Sequence, residues 1–419
     1  MHAGMHTGCR KHDNGYELSI PPARCRYNVL MVCSVRVSEC GRLSVSFTNQ
    51  REGSMHRSEL PTPALVVDKT ILAANITRWQ QHADTCGVGL RPHIKTHKSI
   101  EIATMQRAAG ACGITAAKLS EAEIFVDAGF TDVFVAYPIV GRAKAAHAAR
   151  LALRCRLIVG VESASTVAEL SAAAVAVGAT ISVRVEVESG LQRCGAQPEH
   201  VESLARVVSA APGLVLDGIF TYRGAWFAGA NGRSPAELGR AEGELMVALA
   251  HELRAAGIPI NSVSVGSTPT GWAAARVPGV TEIRPGTYVF GDMMQRKAES
   301  ATDADLALQI HCTVVSRPSA TTATIDGGSK TFSGDINYER AGLPGYALVL
   351  GTSGVLARMS EEHGVIAFAE STDIPVGARL ALCPIHVCTT VNLSDIAYLC
   401  DASTNECSPF QIVARGKRT

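Results

Sequence analysis

From residue 64 to residue 265 short apolar strands alternate with amphipathic helices, and no other feature limits the possible folds as strongly. The strand patterns are Ala64–Val67, Gly89–Ile94, Gly113–Ala117, Asp132–Tyr137, Arg156–Val161, Ile181–Val187, Leu214–Tyr222 and Asn261–Val265. Helix patterns separate them: Thr70–Thr85, Ser99–Ala109, Ser120–Ala128, Arg142–Leu153, Ser165–Val177, Pro198–Ala210 and Pro235–Ala256. Ser120 and Glu123 have the spacing of a capping box. Most strands are β-branched and apolar throughout, as strands buried on both faces of a parallel sheet are. Seven or eight such units in about 230 residues predict an α/β fold, a (β/α)8 barrel rather than a doubly wound sheet.

After Leu306 the texture changes. Gln309–Arg317, Thr321–Asp326, Tyr346–Leu350, Gly364–Phe368 and Arg379–Leu382 read as short strands between Gly, Pro and Ser turns. They predict a smaller C-terminal all-β domain, with residues near Leu60 pairing into it. A chain of 419 residues suits this two-domain division. The barrel is placed at 58–300 and the β domain at 301–419. Residues 1–57 have no sustained apolar period and are read as a loose tail, or as preceding a true start at Met55.

Composition excludes several classes. A formal net charge of +1 gives no electrostatic draw toward nucleic acid or an anionic membrane. No apolar run approaches the roughly 20 residues that span a bilayer. Tyr346–Ala357 comes nearest and is broken by Gly351 and Gly354. Asn28–Val37 is followed by no clean signal-peptide cleavage site. Thirteen cysteines, an odd number without paired spacing, are expected to be unpaired and to point to a reducing, cytoplasmic setting.

Chemistry concentrates in a few segments. Arg91-Pro-His-Ile-Lys-Thr-His-Lys98 ends one strand and precedes a helix, which places Lys95 at the carboxyl end of a barrel strand. Like charge and desolvation both favour an uncharged amine, and such an amine attacks carbonyls and forms Schiff bases. The bland alternative is a basic, solvated strand end. Ser264-Val-Gly-Ser-Thr-Pro-Thr270 offers backbone N–H groups and hydroxyls to an anion after a late strand. Arg193, beyond Ile181–Val187, either reaches into the barrel mouth or stays in a surface loop. Tyr288, in Arg284-Pro-Gly-Thr-Tyr288, either lines the site or packs the domain junction. In Pro384-Ile-His386-Val-Cys388, strand alternation would point His386 and Cys388 the same way. Imidazole and thiolate together suit zinc, and two protein ligands leave open positions, as a catalytic metal site needs. On spacing alone, though, a bare His-x-Cys is more often a core cysteine beside a satisfied histidine. Ser360-Glu-Glu-His363 reads as a polar cluster or a solvated turn.

Leu60-Pro-Thr-Pro-Ala-Leu-Val-Val-Asp68, the lysine octet, Gly266-Ser-Thr-Pro-Thr270, Arg284-Pro-Gly-Thr-Tyr288, Ser360-Glu-Glu-His-Gly364 and His386-Val-Cys-Thr-Thr-Val-Asn-Leu393 occur in this order. Together, over about residues 58–400, the chain resembles the D-serine dehydratase / D-threonine aldolase family. The resemblance implies an alanine-racemase-type fold, with pyridoxal 5'-phosphate as cofactor and a homodimer as the assembly. Lys95 would bond the cofactor, Arg193 would face its pyridine nitrogen, and Gly266, Ser267 and Thr268 would hold its phosphate, with Tyr222 and Tyr288 also in the site. An arginine keeps its own proton, so the cofactor would be a weaker electron sink and a metal helper more useful. His386 and Cys388 match the family's divalent-metal ligands, for zinc first and manganese or magnesium as alternatives.

The implied activity is a lyase that eliminates water from a D-3-hydroxy amino acid, giving a 2-oxo acid and ammonia. Retro-aldol cleavage to glycine and an aldehyde is the alternative. Arg223-Gly-Ala225-Trp226 lacks the histidine expected of aldolase-type relatives near this place, and the cysteine at 388 also leans toward the dehydratases. Racemisation, with Tyr288 as a second acid/base, and a non-catalytic cofactor carrier rank lower, because neither gives the metal pair a role.

Overall fold

The computed structural model describes residues 54–224, 230 and 232–419, together with the backbone of residues 8–12, 15–19, 31–37 and 43–49. Those four N-terminal segments form a four-stranded antiparallel sheet. Residues 54–57 of the expected tail are described, with Met55–His56 paired to Glu406 and Cys407, and the remainder lies outside the described residues.

Eight parallel strands make the first large sheet: Gly89–Leu90, Ile114–Ala116, Asp132–Pro138, Arg156–Val161, Ile181–Glu186, Leu214–Phe220, Ser262–Val265 and Glu282–Ile283. Neighbours in the chain are neighbours in the sheet, and the last strand pairs with the first through Glu282 and Gly89. Cys112 N–H donates to the Leu90 carbonyl (2.9 Å) and Thr115 N–H to the Pro92 carbonyl (2.8 Å), which closes the ring into the expected barrel. Seven of the connecting helices fall where the apolar period placed them, from Lys69–Cys86 to Pro235–Ala255. The eighth, Thr268–Ala274, begins within the late Gly/Ser/Pro segment, with Ser267 as its N-cap.

The barrel interior is less apolar than its strands suggest. Arg184 donates to Asp217 (2.6 Å) and Glu282 (2.5 Å), and Arg91 donates to Glu282 (2.6 Å) and Asp132 (2.5 Å). Burial works against the charge of Glu282, but the two guanidiniums hold its carboxyl well below the usual range. Arg91 therefore belongs to a buried structural network, in which a charge is tolerated because it is paired.

The second large sheet has ten strands and is mostly antiparallel. Leu308–Ser319 runs through its middle, pairing with Arg379–Pro384 on one side and Ala64–Asp68 on the other. The strand near Leu60 thus joins the β domain, as one of the two sequence indications required, and it does not open the barrel series. The barrel's eighth strand is instead Glu282–Ile283, only two residues long. Four further strands of this sheet lay outside the sequence expectation: Met55–His56, Val355–Met359, Ile396–Cys400 and Glu406–Gln411.

Two local expectations are corrected. Ser120 lies inside the helix Leu119–Asp127 and does not cap it; Glu121, the next residue, accepts the Ala117 N–H at 2.6 Å. The cysteines are not all unpaired. Cys400 and Cys407 sit opposite each other on an antiparallel hairpin and form a disulfide. Seven free cysteines are present among the described residues. No helix among those residues is long and apolar enough to cross a membrane.

Candidate active site

A cavity of about 500 Å³ opens at the carboxyl ends of the barrel strands, where barrels carry their chemistry. That volume is in the range of small-molecule sites. Lys95, Arg193, Tyr222, Gly266, Ser267, Thr268, His386 and Cys388 all line it.

Lys95 arrives there by a different local structure from the one expected. The strand ends at Leu90, before Pro92, which has no N–H to continue a ladder. Ile94–Thr96 is a single 3₁₀ turn whose first free N–H, that of Lys95, points at the His93 ring. The positive charge expected of its neighbours in the octet is not gathered around Lys95. Burial holds His93 well below the usual imidazole range and takes His97, bonded to Gln106, down to about 3, so both rings are neutral. Lys98 turns away and pairs with the buried Glu121 at 2.8 Å.

Tyr222 forms a flat wall. Lys95 Nζ stands 5.6 Å from its ring centroid and the Arg193 guanidinium 4.8 Å. Arg193 therefore reaches into the barrel mouth. Gly266 follows the strand Ser262–Val265 with φ +80°, and a Cβ there would lie 2.8 Å from Gly271 Cα. Only glycine makes that turn without strain. Thr268 Oγ1 accepts the N–H groups of Gly286 (3.2 Å) and Tyr288 (3.1 Å), which leaves its own O–H to donate.

Tyr288 is not brought into the cavity. Its hydroxyl accepts from Gln106 Nε2 at 3.0 Å, its ring packs on Trp79, and burial pushes its phenol well up. It packs the junction, and a role as an acid/base is corrected on that ground.

His386 and Cys388 do meet, though not on a strand. The strand ends at Pro384, His386 is the N-cap of the short helix Val387–Val391, and Cys388 is in its first turn. Burial opposes a charged His386, yet Cys388 and a hydrogen bond to Asp335 push it up to about 11. Burial likewise raises the thiol of Cys388, but His386, Lys95 and Thr96 outweigh it and bring it down. Thr96 Oγ1 lies 3.3 Å from Cys388 Sγ, so the pair from the β domain touches the residue next to Lys95.

Several site residues were not foreseen. Glu186 ends a barrel strand, is 4% exposed, and leaves Oε2 without a hydrogen-bond partner. Burial pushes its carboxyl up to about 7, against the pull of Arg193. Its ligand atom, with those of Glu162 and Cys194, falls in a group within 4.8 Å. Arg284 also lines the cavity and donates to Ser264 and to the Thr221 carbonyl. Its place directly after a strand was the available signal. Asp335 had none, because it sits 51 residues from the histidine it holds. Ser360–His363 is an exposed turn between strands, with Lys330 on Glu361 and Glu362, and forms no part of the cavity. Arg223 is described and donates to the Leu238 carbonyl at 2.8 Å. Ala225 and Trp226, which bear on the missing histidine, lie outside the described residues.

The side chains present fit pyridoxal phosphate. An amine, a flat ring, a guanidinium and a tight small-residue turn with a free hydroxyl surround one cavity, and the unpartnered Glu186 oxygen adds a polar atom at its wall. An imidazole beside a thiol whose proton is easily lost likewise suits a soft divalent cation.

Comparisons with known proteins identify the family. The family model for the alanine racemase N-terminal domain matches residues 67–294, and that for a putative serine dehydratase domain matches residues 307–400. The chain is 36% identical to D-threo-3-hydroxyaspartate dehydratase of Delftia sp. strain HT23, over 79% of this chain and 92% of that protein. The structure is similar to D-threonine aldolase from Filomicrobium marinum, with a TM-score of 0.80 and 30% identity over 88% of this chain and 99% of the other. A D-threo-3-hydroxyaspartate dehydratase cysteine-to-alanine mutant in the metal-free form superposes with a TM-score of 0.77 and 32% identity, over 85% of this chain and 99% of the other. The chain belongs to the D-serine dehydratase / D-threonine aldolase family of pyridoxal-phosphate lyases with the alanine-racemase fold.

Proposed function

We propose that the protein removes water from a D-3-hydroxy amino acid with a small neutral β-substituent, such as D-serine or D-threonine, and releases a 2-oxo acid and ammonia. The observation that carries this reading is the contact between Thr96 Oγ1 and Cys388 Sγ at 3.3 Å, which sets a metal-type pair beside the one cavity lysine with an amine on the Tyr222 face. A lysine for the α-carbon and a cation for the β-hydroxyl are what a β-elimination needs in one place.

In this reading Lys95 would hold the cofactor, whose ring would supply the electron sink, and the Lys95 amine, when not bonded to it, would accept the α-proton as a general base. Arg193 and the Tyr222 face would hold the ring, and the Gly266–Thr268 turn the phosphate, with Thr268 O–H as a donor. His386 and Cys388 would hold the divalent cation, zinc before manganese or magnesium since a thiolate is a soft ligand. A cation there supplies Lewis acidity toward a hydroxyl that must leave.

The cavity wall near that pair supports the choice of a neutral β-substituent. Met294 N–H donates to the Ile385 carbonyl (3.3 Å), and Ile336 follows Asp335, which holds His386. Met294, Gln295, Ile336 and Thr389 line the cavity together with that pair, would meet a β-substituent in this reading, and none is cationic. A β-carboxylate would lose water there and find no cationic side chain among these four, its charged partner being only the cation that His386 and Cys388 would hold.

Retro-aldol cleavage in the same site is the second reading, since the family includes aldolases. Cys388 favours the dehydratase, as it did in the sequence. We also propose a homodimer, following the family. A cytoplasmic setting rests on the seven free cysteines, with the Cys400–Cys407 disulfide counting against it. The cofactor part is tested by the visible absorbance of the purified protein: it should be lost in Lys95→Ala, and its persistence there would sink the role given to Lys95.

A further inference from the structure

His386 does not stand alone on its helix. Asp335 Oδ2 takes its Nδ1 at 2.8 Å. The other oxygen of Asp335 is held by Ser333 Oγ and by Thr389 Oγ1 (2.9 Å), and those two hydroxyls meet each other at 2.6 Å. The Asp335 N–H returns to Ser333 Oγ at 3.2 Å. Ser333 N–H donates to Thr390 Oγ1 (3.2 Å), whose own O–H donates to the His386 carbonyl (2.8 Å). The segment Ser333–Asp335 is thus laced to the first turn of the helix Val387–Val391 by both side chain and backbone. Nothing in residues 333–335 matches a metal motif, and only the fold places them against the helix.

With Nδ1 committed to a carboxylate, the proton of a neutral His386 resides there and Nε2 carries the lone pair. That nitrogen is the one left for the Cys388 side, where the two side chains interact. Both carboxylate oxygens of Asp335 already accept from donors, one from His386 itself, which suits it to orienting the ring. Histidine ligands of metals are characteristically oriented by such a carboxylate on the second ring nitrogen. We propose that Asp335, clamped by Ser333 and Thr389, is the positioning residue that fixes the tautomer and ring angle of His386 and so sets the site's affinity for a divalent cation. The proposal rests on the reading of His386 and Cys388 as the metal pair.

The test is zinc affinity of the purified, cofactor-loaded protein, measured by competition with a chromophoric chelator. Four forms are compared: wild type, Asp335→Ala, Asp335→Glu and Cys388→Ala. Asp335→Ala should weaken zinc binding about 10- to 100-fold, and Asp335→Glu should recover part of that loss. The cofactor's visible absorbance should stay unchanged in every variant, which separates a metal effect from misfolding. Cobalt gives a second readout. At saturation Asp335→Ala should keep the thiolate-to-cobalt absorption of the wild type, because Cys388 is untouched, while Cys388→Ala should lose it. Zinc affinity in Asp335→Ala within about twofold of wild type, with Cys388→Ala strongly weakened, would overturn the role of Asp335 alone. Undiminished affinity in Cys388→Ala would remove the metal pair itself, and the proposal with it.

Discussion

Glu186 shows what burial does to a single group in this site. Its carboxyl is pushed up from an ordinary 4.5 to about 7 by burial and, secondarily, by Glu162, against Arg193 and Arg284. A carboxyl raised in the folded state stabilises the fold fully below its unfolded value, and that contribution is lost as the pH rises through about 7. Glu186→Gln has no such loss. In the cofactor-free protein the variant should exceed wild type by up to ~3 kcal/mol at about pH 8 and by less than ~1 kcal/mol at about pH 5. Denaturant titration at the two pH values checks this, and a gain independent of pH would contradict it. Ile336 offers a test of the substrate class. Ile336→Arg should raise kcat/KM for D-threo-3-hydroxyaspartate relative to D-serine by about 10-fold or more, the size of one new charged hydrogen bond. Equal changes for both substrates would show that the β-substituent does not face this wall.

At the scale of elements, the short helix Thr268–Ala274 decides where the turn proposed to hold the phosphate lies. It packs on the long helix Pro235–Ala255 at Gly239, where a Cβ would meet the Thr270 carbonyl oxygen. The missing side chain lets the two backbones touch. Gly239→Ala should therefore cost about 1–3 kcal/mol as an overpacking substitution, and should loosen the cofactor, read as faster loss of visible absorbance on dialysis. Destabilisation with unchanged cofactor retention would show that the helix does not carry the phosphate turn. Elements of this kind were unevenly legible in the sequence. The seven long helices show a full apolar period and could be placed closely. Glu282–Ile283 is two residues long and has no period to read. Ala64–Asp68 is buried on both faces, and that pattern is the same for the centre of either sheet. His386 and Cys388 were legible as a pair, but for a reason of spacing that the fold does not use. A helix N-cap and first turn bring them together where a strand was expected.

At the scale of the whole molecule, the site exists because two sheets share one wall. The barrel contributes Lys95, Tyr222, Arg193 and the Gly266 turn, and the β domain contributes His386, Cys388 and Asp335. Asp292, fully buried, joins them: it accepts the N–H of Gln295 (2.8 Å) on one side and of Val387 (3.0 Å) on the other. Long-range partners such as Asp292 and Asp335 leave no local trace in sequence, since their geometry is fixed only when the sheets come together. The central claim, that barrel lysine and β-domain metal pair act on one substrate, is tested most directly by product analysis. The cofactor-loaded protein is mixed with D-serine and with D-threonine, with zinc present and then with a chelator. The account predicts pyruvate or 2-oxobutyrate together with ammonia, lost on chelation and restored by zinc. Glycine and acetaldehyde from D-threonine, or turnover indifferent to chelation, would contradict it.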